Sequence, residues 1–397
     1  MSVIIFLSAA LLFAGMILIT LTAFLPLLSG KEIQTQSVIY GFGFGFEALL
    51  LFAATYFCFQ KYNLHSSADL GVRFQLKGWH IVVLTLSTCA ALSIGYFVAE
   101  NKSLNWLFLP LLTIPTVALP IGLIFGLGAH KIQLGPRWRV WGIFGLGMTL
   151  VPFLLFLIEF FFLILLFILL IFFLVSKPEY ANEIIRLSNQ IQFMQNDPQA
   201  IINLFIPYAL KPGSMILMLS FIAVIVPFTE ELIKPIGVWL CAGKLDSPAQ
   251  GFALGALSGA AYALVETIGT SGQTTGWAPL LLVRIGTALL HITSTALMGW
   301  GIALAWKQQQ YLKLFVIYLC SSTLHGAWNA SAVIYSYSQL ATEFAPSNAL
   351  SSLAPYTFSI SIALVGVLLM ILILTNQRLN QTNVNEQPIE DTINASI

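Results

Sequence analysis

Ten times along this chain an apolar run continues far enough to cross a bilayer, which takes about 20 residues at 1.5 Å of rise each. The runs lie near 3–28, 38–59, 79–99, 104–129, 140–175, 212–241, 250–269, 279–305, 312–337 and 356–375. Lipid offers no hydrogen bonds, so each spanning segment has to satisfy its own backbone, and a helix does this. The predicted fold class is therefore all-α, a polytopic transmembrane helix bundle of about ten spans. Composition agrees: 58% of the 397 residues are hydrophobic and 8% are charged, which excludes a water-soluble domain. The net charge of +1 says nothing about partners, and no basic stripe points to nucleic acid, so no nucleic-acid partner is expected. Cys58, Cys89, Cys241 and Cys320 are far apart and form no CxxC pair, so neither a thiolate zinc site nor a disulfide framework is expected.

Loop charge orients the spans. With both termini cytoplasmic, ten loop or flanking lysines and arginines lie inside and five outside. The first run has no preceding positive charge and is too long for a signal-peptide core, so it is expected as an uncleaved span. The fifth run exceeds one span, which predicts strong tilt or a helical extension. Residues 176–206 form the longest polar connection; Leu187, Ile191 and Met194 recur at helical spacing, and Asp197-Pro198 resembles a helix start. A short amphipathic helix on the outer surface is expected there, as a linker or as a lid. The expected organisation is an N-terminal bundle of about five spans over 1–205, a second module over 206–340, a last span over 341–376 and a disordered cytoplasmic tail over 377–397.

Charge inside a membrane is costly and faces a bundle interior or a wet cavity. Glu47 and Glu159 each stand alone in their runs, which suggests protonated carboxyls bonded to neighbouring helices or a proton path. The C-terminal half is richer. Glu230, Glu231 and Lys234 interrupt an apolar stretch from Met215 to Leu240, and helical spacing lets either glutamate reach the lysine. Such a cluster is a structural ion pair or a reaction centre. The next three spans carry Glu266, then Arg284 with His291, then His325 with Asn329. Counted along the helices, Glu230, His291 and His325 share one layer if the helix bends near Pro227, whereas Glu266 falls nearer the outer side. Gly251, Gly255 and Gly259 recur every four residues and predict a close helix contact.

Glu230-Glu231-x-x-Lys234, Glu266 in a Gly- and Ala-rich helix, Arg284 with His291, and His325-Gly326-Ala327-Trp328-Asn329 resemble the ordered motifs of the PrsW family of intramembrane peptidases. That family is distantly similar to the CAAX prenyl endopeptidases. The resemblance covers about 220–335 and implies an endopeptidase of the cell (plasma) membrane of a prokaryote. The substrate it implies is a membrane protein or membrane-proximal peptide. Glu230 or Glu231 would act as general base, with His291 positioning the water. In the manner of the similar families, His325 and Asn329 would donate to the oxyanion. Lys234, Glu266 and Arg284 would support them. No cofactor is favoured. Glu230, Glu231, His291 and His325 are also a possible zinc set, although there is no HExxH pair. Two other classes stay open, a proton-coupled transporter and a relative that binds membrane proteins without cutting them. Against a transporter, the ionisable groups crowd into one half and show no inverted repeat.

Overall fold

The computed structural model describes residues 1–63, 71–194 and 197–385. Fifteen helices follow in order: α1 Ser2–Phe24, α2 Thr35–Asn63, α3 Gly78–Ala99, α4 Asn105–Gly128, α5 Arg137–Met148, α6 Leu150–Val175, α7 Pro178–Phe193, α8 Pro198–Ala209, α9 Pro212–Ser220, α10 Val226–Ile233, α11 Ile236–Trp239, α12 Pro248–Thr270, α13 Trp277–Gln308, α14 Tyr311–Phe344 and α15 Ala354–Asn385. Two short antiparallel strands, β1 Val72–Arg73 and β2 Gln133–Gly135, are the sheet among the described residues. Nine helical stretches there are long and apolar enough to cross a membrane. The polytopic helical bundle read from the sequence is what forms. The run near 312–337 is helical too, as α14, but is not among those nine.

The helices gather into two compact units. One holds Met1–Pro152, Glu231–Ser321 and the chain from Val365 onward; the other holds Phe153–Glu230 and Ser322–Leu364. The division passes between two consecutive glutamates of α10.

In the first unit α12 is buried along nearly its whole length, with α13 as its main partner. The reason is the glycine row. A Cβ at Gly251 would lie 2.5 Å from the Gly299 carbonyl, and one at Gly255 or Gly259 would collide with the carbonyls of Thr295 and His291. Only glycine lets the two backbones meet so closely. Trp277, at the start of α13, is fully buried; its indole N–H donates to Thr113 at 3.1 Å, and a Cβ at Gly95 would occupy the space of its ring. The long fifth run proves to be two helices. Pro152 offers no N–H to the Met148 carbonyl, and the chain breaks at Thr149, whose hydroxyl donates to the Gly145 carbonyl at 2.7 Å.

At the other end of the sequence, α15 does not stop at Arg378. Asn376 donates to the Gly128 carbonyl at 2.7 Å and Asn380 to the His130 carbonyl at 2.9 Å, and the helix continues to Asn385. The remainder of the tail expected to be disordered, 386–397, lies outside the described residues.

In the second unit α6 presents Phe156, Phe160, Phe161, Phe167, Phe172 and Phe173 on its exposed surface, as a helix facing lipid does. The later part of α14 packs on the first part of α15 through Ser331 and Ser361, 3.0 Å apart. The apolar stretch that carries the glutamates is not one regular helix. A π turn, Phe221–Ile225, joins α9 to α10.

Candidate active site

The π turn has consequences for the second unit's functional groups. It shifts the bonding register by one residue, so the Val226 N–H reaches back to the Phe221 carbonyl. Pro227 is next and has no N–H to give the Ile222 carbonyl. Asn329 of α14 fills that vacancy, donating Nδ2–H to Ile222 O at 2.9 Å. One turn earlier on α14, Gly326 lies so close to the Ala223 carbonyl that any Cβ would overlap it. Gly326 and Asn329 thus seat α14 directly on the distorted turn. Thr229 adds bonds to the Ile225 and Val226 carbonyls at 3.0 and 2.8 Å. With the two helices seated, Glu230 Oε2 and His325 Nε2 stand 3.9 Å apart, both residues buried. The irregularity near Pro227 is this π turn, which ends two residues before the proline.

The first unit holds the other groups, joined in one chain. Lys234 is completely buried, and its ammonium donates to Glu231 Oε1 at 2.9 Å and to His291 Nδ1 at 2.7 Å. An ammonium has only hydrogens to give, so Nδ1 of His291 accepts and the ring proton belongs on Nε2. Nε2 lies 2.6 Å from Glu266 Oε2, to which it donates, and Arg284 Nη2 meets the same oxygen at 2.8 Å. The sequence is acid, base, neutral ring, acid, base, with zero net charge. Such balance is the condition for burying charge at tolerable cost. The Tyr262 ring lies edge-on to His291, with centroids 5.1 Å apart, and the Lys234 ammonium stands 5.1 Å over its face. Ser258 donates to the Lys234 carbonyl at 2.6 Å, where Pro235 ends the regular helix. The glycine row also serves this chain, because Gly259 abuts the His291 backbone itself.

Glu266 reaches the His291 ring, although counting along the helices places the two at different depths. Depth counting locates Cα atoms, while side chains tilt toward the helix N-terminus and glutamate spans a turn. Ser258 makes a contact that the sequence did not single out; Gly326 stands inside the motif quoted above, but nothing in the motif showed that it seats α14 against the Ala223 carbonyl. Glu47 is buried in α2 and Glu159 half-buried in α6, each outside the groups just described.

These helices define a polytopic membrane protein with buried acid–histidine groups in each of its two units. A family model described as PrsW family intramembrane metalloprotease matches residues 135–370, more than half of the chain, and the chain belongs to that family. It is an enzyme, a protease of the membrane interior. Neither a curated protein nor a solved structure matches the chain.

Proposed function

We propose that this protease cuts membrane proteins or membrane-proximal peptides, in the plasma membrane of a prokaryote, with Glu230 as the group that takes the proton from the attacking water. The observation that carries the reading is the different company of the two adjacent glutamates. Glu231 is committed to a fully buried lysine at 2.9 Å, whereas Glu230 faces the imidazole of His325 at 3.9 Å. A carboxylate held by an ammonium is a poor proton acceptor, whereas one that faces an imidazole across 3.9 Å has a group beside it that can take and return a proton.

Glu230 accepts one proton as the water oxygen bonds to the scissile carbonyl carbon, and the carbonyl oxygen takes up negative charge. His325 then donates toward that oxygen. The same proton passes from Glu230 to the amide nitrogen as the C–N bond breaks. Asn329 contributes by holding the π turn, since one of its two amide hydrogens goes to Ile222. The Lys234–His291–Glu266–Arg284 chain fixes Glu231.

The family's description names a metal, and the residues fit one. A buried carboxylate and imidazole are zinc's donor types, and 3.9 Å is within the span of two bonds of about 2 Å each. Glu230 and His325 would hold it. When bound, zinc supplies a water that ionises near neutral pH.

The test is cleavage of co-reconstituted membrane-protein substrates by wild type and by Glu230→Gln, with and without a chelator. Cleavage by a folded Glu230→Gln at the wild-type rate would overturn the role of Glu230. Loss of activity on chelation, restored by added zinc, would establish the metal-dependent form.

A further inference from the structure

The connection between α6 and α9 takes no part in the chemistry above, and its construction points to a different partner. Two residues separate α6 from α7, and two separate α8 from α9. Both ends are thereby held where spans leave the membrane. Along α7 and its C-cap residue, Tyr180, Ile184, Leu187, Ile191 and Met194 fall on one stripe, while Asn182 and Asn189 lie opposite and are exposed, with Phe193 exposed beside them at the helix end. Tyr180 and Ile184 are exposed, and the rest of the stripe is half-buried.

The stripe continues a surface already facing lipid. The Tyr180 ring lies against Phe173 of α6, centroids 6.1 Å apart, and Phe173 is itself exposed. On α8, Ile202 and Phe205 are exposed as well. Polar groups tie the two helices together at this level. The Tyr208 hydroxyl of α8 donates to Glu183 of α7, and Arg186 donates to the same carboxylate at 2.6 Å. Tyr208 and Arg186 hold the Glu183 carboxyl below the usual carboxylate range, so it stays ionised at neutral pH. Lys211 places its ammonium 4.6 Å over the Tyr208 ring. Tyrosine with lysine or arginine at this depth is the chemistry of the headgroup layer.

We propose that α7 and α8 form an interfacial hairpin whose partner is the bilayer surface, with the Tyr180–Met194 stripe in the acyl–headgroup boundary and Asn182 and Asn189 in water. Binding is apolar. Lys177, Arg186 and Lys211 balance Glu179, Glu183 and Asp197, so no anionic lipid is required.

The experiment places a benzoylphenylalanine photocrosslinker singly at Ile184, Ile191, Asn182 or Asn189 of the full chain. Each variant is reconstituted in vesicles of pure phosphatidylcholine and of 3:1 phosphatidylcholine to phosphatidylglycerol. Mass spectrometry then counts lipid adducts in protein that elutes as wild type. Positions 184 and 191 should yield at least about fivefold more lipid adduct than 182 and 189, equally in both lipids. Tyr208→Phe, which unties the hairpin, should narrow that ratio. Equal yields on both faces would overturn the proposal. So would adducts at 184 and 191 that join to protein, or a yield that needs the anionic lipid. No arm reads proteolysis, so the result stands apart from the role of Glu230.

Discussion

Glu230 and Glu231 are successive residues of one helix, yet they belong to two differently built surroundings. Around Glu231 every charge has a counter-charge within hydrogen-bonding distance, from Lys234 through His291 and Glu266 to Arg284. Around Glu230 the seating of α14 on a π turn brings up an imidazole at 3.9 Å, a separation too long for a direct hydrogen bond. The first arrangement is a scaffold that loses stability when a member is removed. The second is suited to a proton, a water or a metal between its members. Under the proposed roles, adjacent residues of the same type divide the work of holding still and of reacting.

The sharpest way to break this comparison is to exchange the phenotypes of the two glutamates. Glu230→Gln should lower the rate of peptide cleavage by about 10²–10⁴, the usual worth of a general base, and leave detergent-solubilised thermal stability near wild type. Glu231→Gln should instead strand a buried ammonium and lower unfolding stability by about 3–5 kcal/mol. Adding Lys234→Met to it should restore most of that loss, since a neutral pair needs no counter-charge. If both single variants behave alike in the two assays, the division of roles is wrong.

Smaller effects sharpen it. Gly259→Ala forces a methyl onto the His291 carbonyl and should cost about 1–3 kcal/mol, with activity falling as His291 shifts. Gly269→Ala, with open space around its position, serves as the control and should change neither. Asn329→Ala leaves the Ile222 carbonyl unsatisfied; about 1–2 kcal/mol of stability and a partial loss of rate are expected. Rescue of the rate by Asn329→Gln would show that the amide bond to the turn is the property that matters.

Much of this was legible in the sequence for definite reasons. Apolar runs gave the helices because lipid leaves no other way to satisfy a backbone. The isolated charges stood out because burying them is costly, and i,i+3 spacing already allowed the Glu231–Lys234 pair. The glycine row announced a close helix contact and delivered the one between α12 and α13. Other features had no local signature. Glu266 looked too far along its helix, because Cα depth ignores the reach of the side chain. Asn380 read as tail composition, but with Asn376 it docks on carbonyls at and just after the end of α4 and carries α15 onward. The break at Thr149 was readable only as an overlong run.

The sequence by itself determined that this chain is a bundle of membrane helices and that its acids and histidines arrive in a fixed order on successive spans. Those properties follow from hydropathy and helical spacing, which are local. Only the tertiary structure decided which glutamate the lysine takes and which tautomer His291 holds. It also decided which carbonyl Asn329 satisfies at the π turn. Each of those depends on a partner from another helix, and in a membrane interior a polar group's state is set by whichever partner reaches it.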